Sequence, residues 1–241
     1  MIQIAIGTQA NQLVPQKVLA YSIRAHTREA LDLRFERQRQ RQLGGTRFGF
    51  VRFTVPSLFG YRGRAIYLDA DQLVLADVRD LVEQLDDRHA IGIVRDVQGT
   101  FGGRPVAPRN ETSVMVLDCE KLKQWDPATL FDSVVPNEAA LRPGQIHYKD
   151  FMRLAGVDPS LIQAIDPRWN HYNLVRDDTK LVHFSHVREQ PWKRPSHPFT
   201  GFWDEWLGRA VAAGAVGRSD LVAAVARLHL HPRFLRHLGV F

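Results

Sequence analysis

The chain has 241 residues, a net charge of +6 and a single cysteine, Cys119. This length suits one large α/β domain. A single cysteine excludes a disulfide framework within the chain and favours a reducing compartment. Residues 1–6 lack the basic leader and long apolar core of a signal peptide, and no apolar run approaches membrane-spanning length. These features predict a cytoplasmic protein.

The positive charge alone decides little about partners. A basic chain can bind nucleotides, nucleic acid or an anionic membrane surface. Here the charge comes mainly from arginine, a bias that often follows genome composition. A basic nucleic-acid-binding protein is therefore an alternative only, one whose binding would depend steeply on salt, and we expect no nucleic-acid partner.

The first elements are a strand, a helix and a second strand. Residues 3–7 predict a buried strand, and Pro15 suits the first turn of a helix that ends near His26. A shorter strand is predicted at residues 32–35. This order predicts the start of a parallel nucleotide-binding sheet.

The loop after the first strand is polar. Thr8, Gln9 and Asn11 lie beyond the carboxyl end of that strand, where ligands bind in such sheets. Neither a dinucleotide fingerprint nor a phosphate-binding loop is present. A nucleotidyltransferase, which is an alternative with the same fold, would need a glycine-rich basic loop here. The sequence lacks that loop, and this argues against the alternative.

An arginine lies in an apolar segment before the third predicted strand. Residues 48–56 predict a helix that packs under the sheet and carries Arg52 among aromatic residues. A buried guanidinium needs an anionic partner or an exit to solvent. The polar and basic residues 36–42 could contact phosphate, but a solvated loop or helix face is the commoner outcome.

Two aspartates follow an apolar strand predicted at residues 65–69. Asp69 and Asp71, separated by Ala70, can both reach one point beyond the end of that strand. Such a pair of carboxylates favours a hard divalent cation. In isolation the same pair is equally consistent with a turn and a helix cap.

The middle of the chain predicts two more strands, at residues 90–94 and 112–117. Between them, residues 95–109 are rich in glycine, proline and arginine, and they are the best candidate for a mobile loop that closes over the site and excludes water. Helices are predicted at residues 78–85 with Asp77 as the N-cap, at residues 120–125 after the cap residue Asp118, and at residues 148–155.

Two histidines, His183 and His186, end a strand predicted within residues 180–186. His183 is either a hydrogen-bonded core or loop histidine, which is the commoner role, or a nitrogen ligand of a metal held by Asp69 and Asp71. A mixed carboxylate and imidazole set suits manganese better than calcium.

The C-terminal part of the chain predicts helices. Its last basic amphipathic piece begins at Pro232 and could lie peripherally on the inner face of an anionic membrane, although packing on the domain is commoner. The predicted apolar faces comprise Trp203, Trp206, Leu207 and Ala210 in one helix, and Leu221, Val225 and Leu228 in a helix capped by Ser219.

Five motifs together form a recognisable pattern. They are F-x-R-F around Arg52, I-Y-L-D-A-D ending at Asp71, T-S-V-M-V-L at residues 112–117, D-P-R-W-N at residues 166–170, and V-H-F followed by Q-P-W ending at Trp192. In these motifs the chain resembles the glycosyltransferase family 8 group (glycogenin-like and lipopolysaccharide galactosyltransferase-like enzymes), which has the GT-A fold.

The resemblance implies a fold, an activity and a cofactor. The fold is an α/β domain with a mostly parallel central sheet at residues 1–206, with a helical extension packed on it at residues 207–241. The activity is transfer of a sugar, with retention, from a nucleotide-diphosphate sugar, usually a UDP-sugar, to a glycan, lipid or protein acceptor. The implied cofactor is Mn²⁺, with Mg²⁺ as the alternative.

Site residues carry over by position. Asp69, Asp71 and His183 match the metal ligands, and Arg52 matches the basic residue that contacts the donor. The remaining matches are Thr8 and Gln9 for the base and ribose, Ala70 between the two aspartates, and Pro191 and Trp192 for the final Pro-Trp.

The chain also departs from the group's pattern. His186 replaces a glycine, and Gln190 replaces the lysine that normally meets the diphosphate, so Lys193, Arg188 or Arg194 would have to substitute. Glu111-Thr112-Ser113 stands where the group has Asn-Ala-Gly. Of the later Asp-Gln-Asp only Asp150 falls nearby, as a candidate catalytic residue. These departures indicate a divergent subgroup and leave open a protein that binds a nucleotide sugar without transferring it.

Overall fold

The central feature of the computed structural model, which describes residues 1–38 and 48–239, is a mixed sheet. Its strands are β1 (Ile2–Thr8), β2 (Leu31–Arg37), β3 (Arg64–Asp69), β5 (Ile91–Val94), β8 (Glu111–Asp118) and β11 (Ile162–Ala164). Their order in the sheet is β11-β5-β8-β3-β1-β2. β1 pairs in parallel with β2 and β3, and β11 pairs in parallel with β5. β8 runs antiparallel to both of its neighbours, β3 and β5.

Smaller sheets surround the central one. The most important has the order β12-β13-β4, in which β13 runs antiparallel to β4 and parallel to β12. The other two are a hairpin, β6-β7, and a parallel pair, β9-β10. Their strands are β4 (Gln72–Val74), β6 (Thr100–Phe101), β7 (Arg104–Pro105), β9 (Val134–Val135), β10 (Ile146–His147), β12 (His171–Tyr172) and β13 (Leu181–His183).

Most of the predicted helices are present, with shifted ends. Asp77 caps the helix Val78–Val82 by accepting a hydrogen bond from the backbone N–H of Arg79 (2.9 Å). The segment after Asp118 forms a short 3₁₀ turn, Cys119–Leu122, rather than the predicted helix at residues 120–125. The α-helices are α1 (Leu13–His26), α2 (Val51–Leu58), α3 (Val78–Val82), α4 (Tyr148–Phe151), α5 (Thr200–Ala212) and α6 (Arg218–Ala226).

Alternating residues of the sheet enter two hydrophobic cores. Ile4 and Ile6 face one side with Leu68, and Ala5 and Tyr67 face the other, as the two-residue period of a strand requires. Because both faces are covered, these strands are apolar throughout. This arrangement confirms the predicted α/β architecture with a mostly parallel sheet.

The C-terminal helices form a third core with α1. Phe234, in the last 3₁₀ helix (Pro232–Leu238), is fully buried against Trp203 with ring centroids 5.3 Å apart. Buried Asp204 accepts a hydrogen bond from His237 (2.6 Å) and pairs with Arg236. The last basic piece therefore packs on the protein. No helix among residues 1–38 and 48–239 is both long and apolar enough to cross a membrane.

Two predicted details of this region are wrong. Gly217, not Ser219, is the N-cap of α6, and its backbone N–H donates to Asp220 Oδ2 (2.8 Å). Leu228 is 87% exposed because the helix ends before it, at Ala226, and so it lies outside the apolar face. The division of the chain at residue 206 stays a prediction, and α5 runs continuously through that position.

Gly7 in β1 is required by the packing of Tyr67 in β3. A Cβ atom at Gly7 would lie 2.2 Å from the Tyr67 hydroxyl oxygen. We therefore expect Gly7→Ala to displace the buried ring and to lower the free energy of unfolding by about 1–3 kcal/mol, measured by urea denaturation.

Gly201 in α5 provides the matched control. Apart from its chain neighbours and its own helix backbone, no atom of residues 1–38 and 48–239 lies within 4 Å of a Cβ built there, so Gly201→Ala should raise stability by at most about 1 kcal/mol. Equal effects of the two substitutions would contradict this account of Gly7.

Candidate metal centre at the end of the central sheet

The fold brings distant segments of the chain to one edge of the central sheet. Gly7 pairs with Asp69 at the carboxyl ends of β1 and β3. Because β8 runs in the opposite direction, its first residues, beginning with Glu111, lie at the same edge. The pairing of His183 with Gln72 places that histidine beside Asp71.

Three buried side chains could together hold a metal ion. One ligand atom from each of Asp69, Asp71 and His183 lies within 4.8 Å of the other two. All three residues are at most 7% exposed. The predicted convergence of these residues is therefore present in the structure.

The histidine and the second aspartate present lone pairs to each other. His183 Nδ1 lies 3.2 Å from the Asn170 side-chain oxygen, which can only accept, so Nδ1 carries the proton in a neutral ring. Nε2 then faces Asp71 Oδ1 at 3.3 Å, and this buried oxygen has no hydrogen-bond partner among residues 1–38 and 48–239. Two acceptors at this distance repel each other unless a proton or a cation lies between them, and this donor set fits a divalent metal.

The charge of Asp71 also acts on the proton affinity of the histidine. Burial alone would lower the pKa of His183, but the negative charges of Asp71 and Asp69 outweigh it and hold that pKa above its usual value. A positive species is therefore favoured at this point, whether a proton on the ring or a metal ion beside it.

Asp69 is held by two donors from beneath the site. Arg52 Nη2 donates to both of its carboxylate oxygens (3.0 and 3.3 Å), and the Tyr67 hydroxyl donates to Oδ1 (2.6 Å). Arg52 Nη1 donates to the Thr112 hydroxyl oxygen (2.7 Å). The anionic partner that the sequence demands for Arg52 is therefore Asp69.

The pKa values of this group follow from burial and charge. Burial raises the pKa of Asp69, Arg52 opposes the shift and Asp71 adds to it, leaving the pKa above its usual value. Burial also raises the pKa of Tyr67 well above 10, so the phenol keeps the proton that it donates. The negative charge of Asp69 is thus partly balanced by the Arg52 guanidinium.

Asp71 is held differently, by a neutral amide. Gln190 Nε2 donates to Asp71 Oδ2 (2.8 Å) and to the backbone oxygen of Phe184 (3.2 Å). Gln190 occupies the position where the sequence pattern leads one to expect a lysine. The neighbouring Pro191 and Trp192 are both buried, and Trp192 anchors this segment in the third core.

A second buried carboxylate group lies at the same edge and was not identified as a site from the sequence. Glu111 Oε2 accepts a hydrogen bond from the Tyr172 hydroxyl (2.7 Å), and Arg109 pairs with the other oxygen. The Tyr172 ring packs edge-on against His183, with centroids 4.7 Å apart. Only the antiparallel direction of β8 brings Glu111 here, and that direction is not visible in local sequence.

The predicted donor-binding residues have varied surroundings. The buried Thr8 hydroxyl donates to Gln16 Oε1 (2.5 Å), and Gln9 precedes a 3₁₀ turn, Ala10–Gln12. The ammonium of Lys193 donates to the backbone oxygen of Val187 (2.7 Å). Burial lowers the pKa of Lys193 and the charge of Asp71 partly offsets this effect, so the two side chains are electrostatically coupled.

Asp150 does not join the three metal-binding candidates. Its side chain is exposed on α4, and the group found among residues 1–38 and 48–239 contains only the two aspartates and His183. The end of α4 nevertheless reaches the edge of the sheet, because the Thr112 hydroxyl donates to the Met152 backbone oxygen (2.8 Å). A catalytic role for Asp150 stays a prediction.

The predicted loop at residues 95–109 has anchored ends and a hairpin between them. The backbone N–H of Tyr172 donates to the Gln98 oxygen (2.8 Å), and a Cβ on Gly99 would lie 1.9 Å from the Tyr172 oxygen. The exposed hairpin β6-β7 lies beyond this anchor. Closure of this loop stays a prediction.

Of the polar residues 36–42, for which the sequence allows a phosphate contact, only residues 36–38 lie within the described part of the chain.

Comparison with known proteins gives the fold. No family model matches the chain. Protein CDI of Arabidopsis thaliana is 29% identical over 164 residues, which is 63% of this chain and 60% of that protein, so the chain spans less than two thirds of its curated relative.

Several solved structures with similar folds are glycosyltransferases. The galactosyltransferase LgtC, in complex with donor and acceptor sugar analogs, matches with a TM-score of 0.62 at 14% identity, over 86% of this chain and 96% of its own. The glycosyltransferase GlyE of Streptococcus pneumoniae TIGR4 matches with a TM-score of 0.62 at 14% identity, over 86% of this chain and 60% of its own. The chain therefore has the GT-A fold.

The buried Arg52–Asp69 pair leads to a stability prediction. Arg52→Met would leave Asp69 as a buried charge without its cationic partner, which typically costs about 3–5 kcal/mol. We expect the free energy of unfolding, measured by urea denaturation without added metal, to fall by that amount.

The control is Arg209→Met, which removes an exposed ion pair with Glu205 in α5. Such a pair contributes at most about 0.5 kcal/mol. If Arg52→Met were no more destabilising than this control, Arg52 would not be the counter-charge of Asp69.

Proposed function

We propose that this protein is a metal-dependent glycosyltransferase, a divergent relative of the family 8 group, which transfers a sugar from a nucleotide-diphosphate sugar to an acceptor hydroxyl with retention. The observation that carries the proposal is the buried Asp69, Asp71 and His183 group with its unpaired Asp71 oxygen. Its position at the end of the sheet in a GT-A fold supports the same reading. UDP is the nucleotide that we expect in the donor.

Asp69, Asp71 and His183 would hold Mn²⁺, or alternatively Mg²⁺. When bound, such a cation neutralises the negative charge that develops on a leaving diphosphate. The chain's own contribution is to hold the ligands ready: Arg52 and Tyr67 fix Asp69, and Asn170 fixes the ring of His183. Fixed ligands need no rearrangement when the charge develops.

Lys193 would supply positive charge on the phosphate side in place of the lysine that the chain lacks. Its ammonium is partly buried, and the negative charge of Asp71 raises its pKa against the lowering effect of burial. Thr8 and Gln9, at the carboxyl end of β1, would hold the base and ribose. We propose Asp150 as a candidate catalytic residue on the acceptor side, with a glycan, lipid or protein as the acceptor.

A second candidate function is binding of a nucleotide sugar without transfer. The observation that favours it is Gln190 at the lysine position, because a neutral amide gives no charge to the diphosphate. Release of nucleotide separates the two functions, since a binding protein would be stabilised by the donor and metal without consuming the donor.

The proposed function predicts that metal and donor stabilise the protein together. In a panel of nucleotide sugars, a UDP-sugar with Mn²⁺ at about a hundred times its Kd should raise the Tm by about 5–10 °C and should release UDP. Neither component should do so fully alone, because a bound cation would neutralise the charge of the diphosphate and so strengthen the binding of the donor.

Asp71→Asn should abolish the joint stabilisation and the UDP release, because it removes a charged ligand. Asp87→Asn, at a 99% exposed side chain paired with Arg64, is the control and should behave as wild type. If metal plus donor stabilised Asp71→Asn as much as wild type, Asp71 would not be a metal ligand and the proposed function would be wrong.

The second prediction concerns Lys193. Loss of a charge-assisted contact costs about 1.5–3 kcal/mol, so Lys193→Ala should raise the Kd for Mn²⁺-UDP by about 10-fold or more, measured by calorimetry. The exposed Lys123→Ala is the control. An unchanged Kd in Lys193→Ala would remove this residue from the donor site.

A further inference from the structure

Gln190 is the most deeply buried departure of this chain from the pattern that it resembles, with 1% of its surface exposed. We propose that Gln190 is a positioning residue that fixes Asp71 so that one oxygen, Oδ1, is kept free for the cation. The inference rests on the proposed metal-dependent function. It assigns to Gln190 the orientation of a metal ligand, whereas the lysine expected at this position contacts the diphosphate.

The amide can take only one orientation. Both acceptors near Nε2, Asp71 Oδ2 and the Phe184 backbone oxygen, are used by its two N–H groups. A flipped amide would place an oxygen against both acceptors. Oε1 is buried and has no hydrogen-bond partner within the described part of the chain, so the contact with Asp71 is retained even though the other end of the amide is left unsatisfied.

The same amide joins the two chain segments that carry the ligands. It contacts Asp71 on one side and, on the other, the backbone of Phe184, the residue after His183. The backbone N–H of Phe184 in turn donates to the backbone oxygen of Asp71 (2.9 Å). Gln190 therefore sets the position of Asp71 relative to His183 as well as the rotation of its carboxylate.

The backbone of Gln190 is itself held in place. Its carbonyl oxygen accepts hydrogen bonds from the backbone N–H groups of Lys193 (2.8 Å) and Arg194 (3.1 Å). Trp192 is fully buried, and its ring lies 5.3 Å from that of Trp203 and 5.9 Å from that of Phe184. A side chain on such a fixed segment orients its partner with little loss of entropy.

Neutrality is the second property that matters. A lysine ammonium at this position would pair with Asp71 and cancel the charge that attracts a cation. The glutamine amide orients the carboxylate and leaves its negative charge in place. We therefore expect this centre to bind its metal before the nucleotide sugar arrives.

The test measures Mn²⁺ affinity without any nucleotide, by the paramagnetic resonance signal of free Mn²⁺. Gln190→Met keeps the length of the side chain and removes the donor, and loss of such an orienting contact typically weakens metal binding about 10–100-fold. Gln190→Lys should also weaken it, because the ammonium competes with Mn²⁺ for Asp71.

Gln163→Met is the matched control. The Gln163 side chain also makes two hydrogen bonds, to the Gln84 backbone oxygen (2.7 Å) and from the Asp86 backbone N–H (2.8 Å), but in β11 at the far edge of the sheet. Its Mn²⁺ affinity should stay within about twofold of wild type, since affinity depends on the ligands and their orienting partners.

The outcomes separate the two proposals. Mn²⁺ affinity in folded Gln190→Met equal to that of wild type would overturn the positioning role alone. If circular dichroism shows that Gln190→Met does not fold, Gln190→Lys decides in the same way. A wild-type chain that binds no Mn²⁺ would instead contradict the proposed function.

Discussion

The constraint on which this structure depends is the burial of two carboxylates within one small volume. An isolated buried charge is very costly, and two of the same sign repel each other as well. Asp69 is compensated within the protein by Arg52 and Tyr67. Asp71 accepts a hydrogen bond on Oδ2 from a neutral amide, that of Gln190. The centre therefore combines one carboxylate that is paired with a cationic side chain and one that is paired with a neutral group, and Oδ1 of the second faces His183.

Much of this centre could be predicted from local sequence. The apolar run before Asp69 predicts a strand, and two aspartates at its end must then lie at the edge of the sheet. The resemblance added His183, which periodicity alone leaves as a core histidine. The structure brings all three residues together. The end of the strand before Asp69 follows from the local apolar pattern, whereas the pairing of that segment with His183 was indicated only by the resemblance.

The parts that could not be predicted depend on tertiary direction and on shifted ends. The sequence of β8 reads equally well in either direction, and only its antiparallel pairing puts Glu111 and Thr112 beside the aspartates. The guanidinium of Arg52 lies against Asp69 and Thr112, partners that local sequence does not identify, and its contact with a donor stays a prediction. Leu228 fits a helical period but follows the last residue of α6. Periodicity does not reveal where a helix stops.

The pairing of β13 with β4 has a consequence for the order of assembly. During synthesis β1, β3 and Asp71 emerge long before the strand that brings His183, and Gln190 follows later still. Until then the site has no nitrogen ligand and nothing to orient its second carboxylate. A cation that needs all three ligands will bind only the finished fold, and its binding energy then adds to the stability of that fold alone. An ion held by Asp69, Asp71 and His183 would therefore stabilise only a chain in which β13 has already paired with β4.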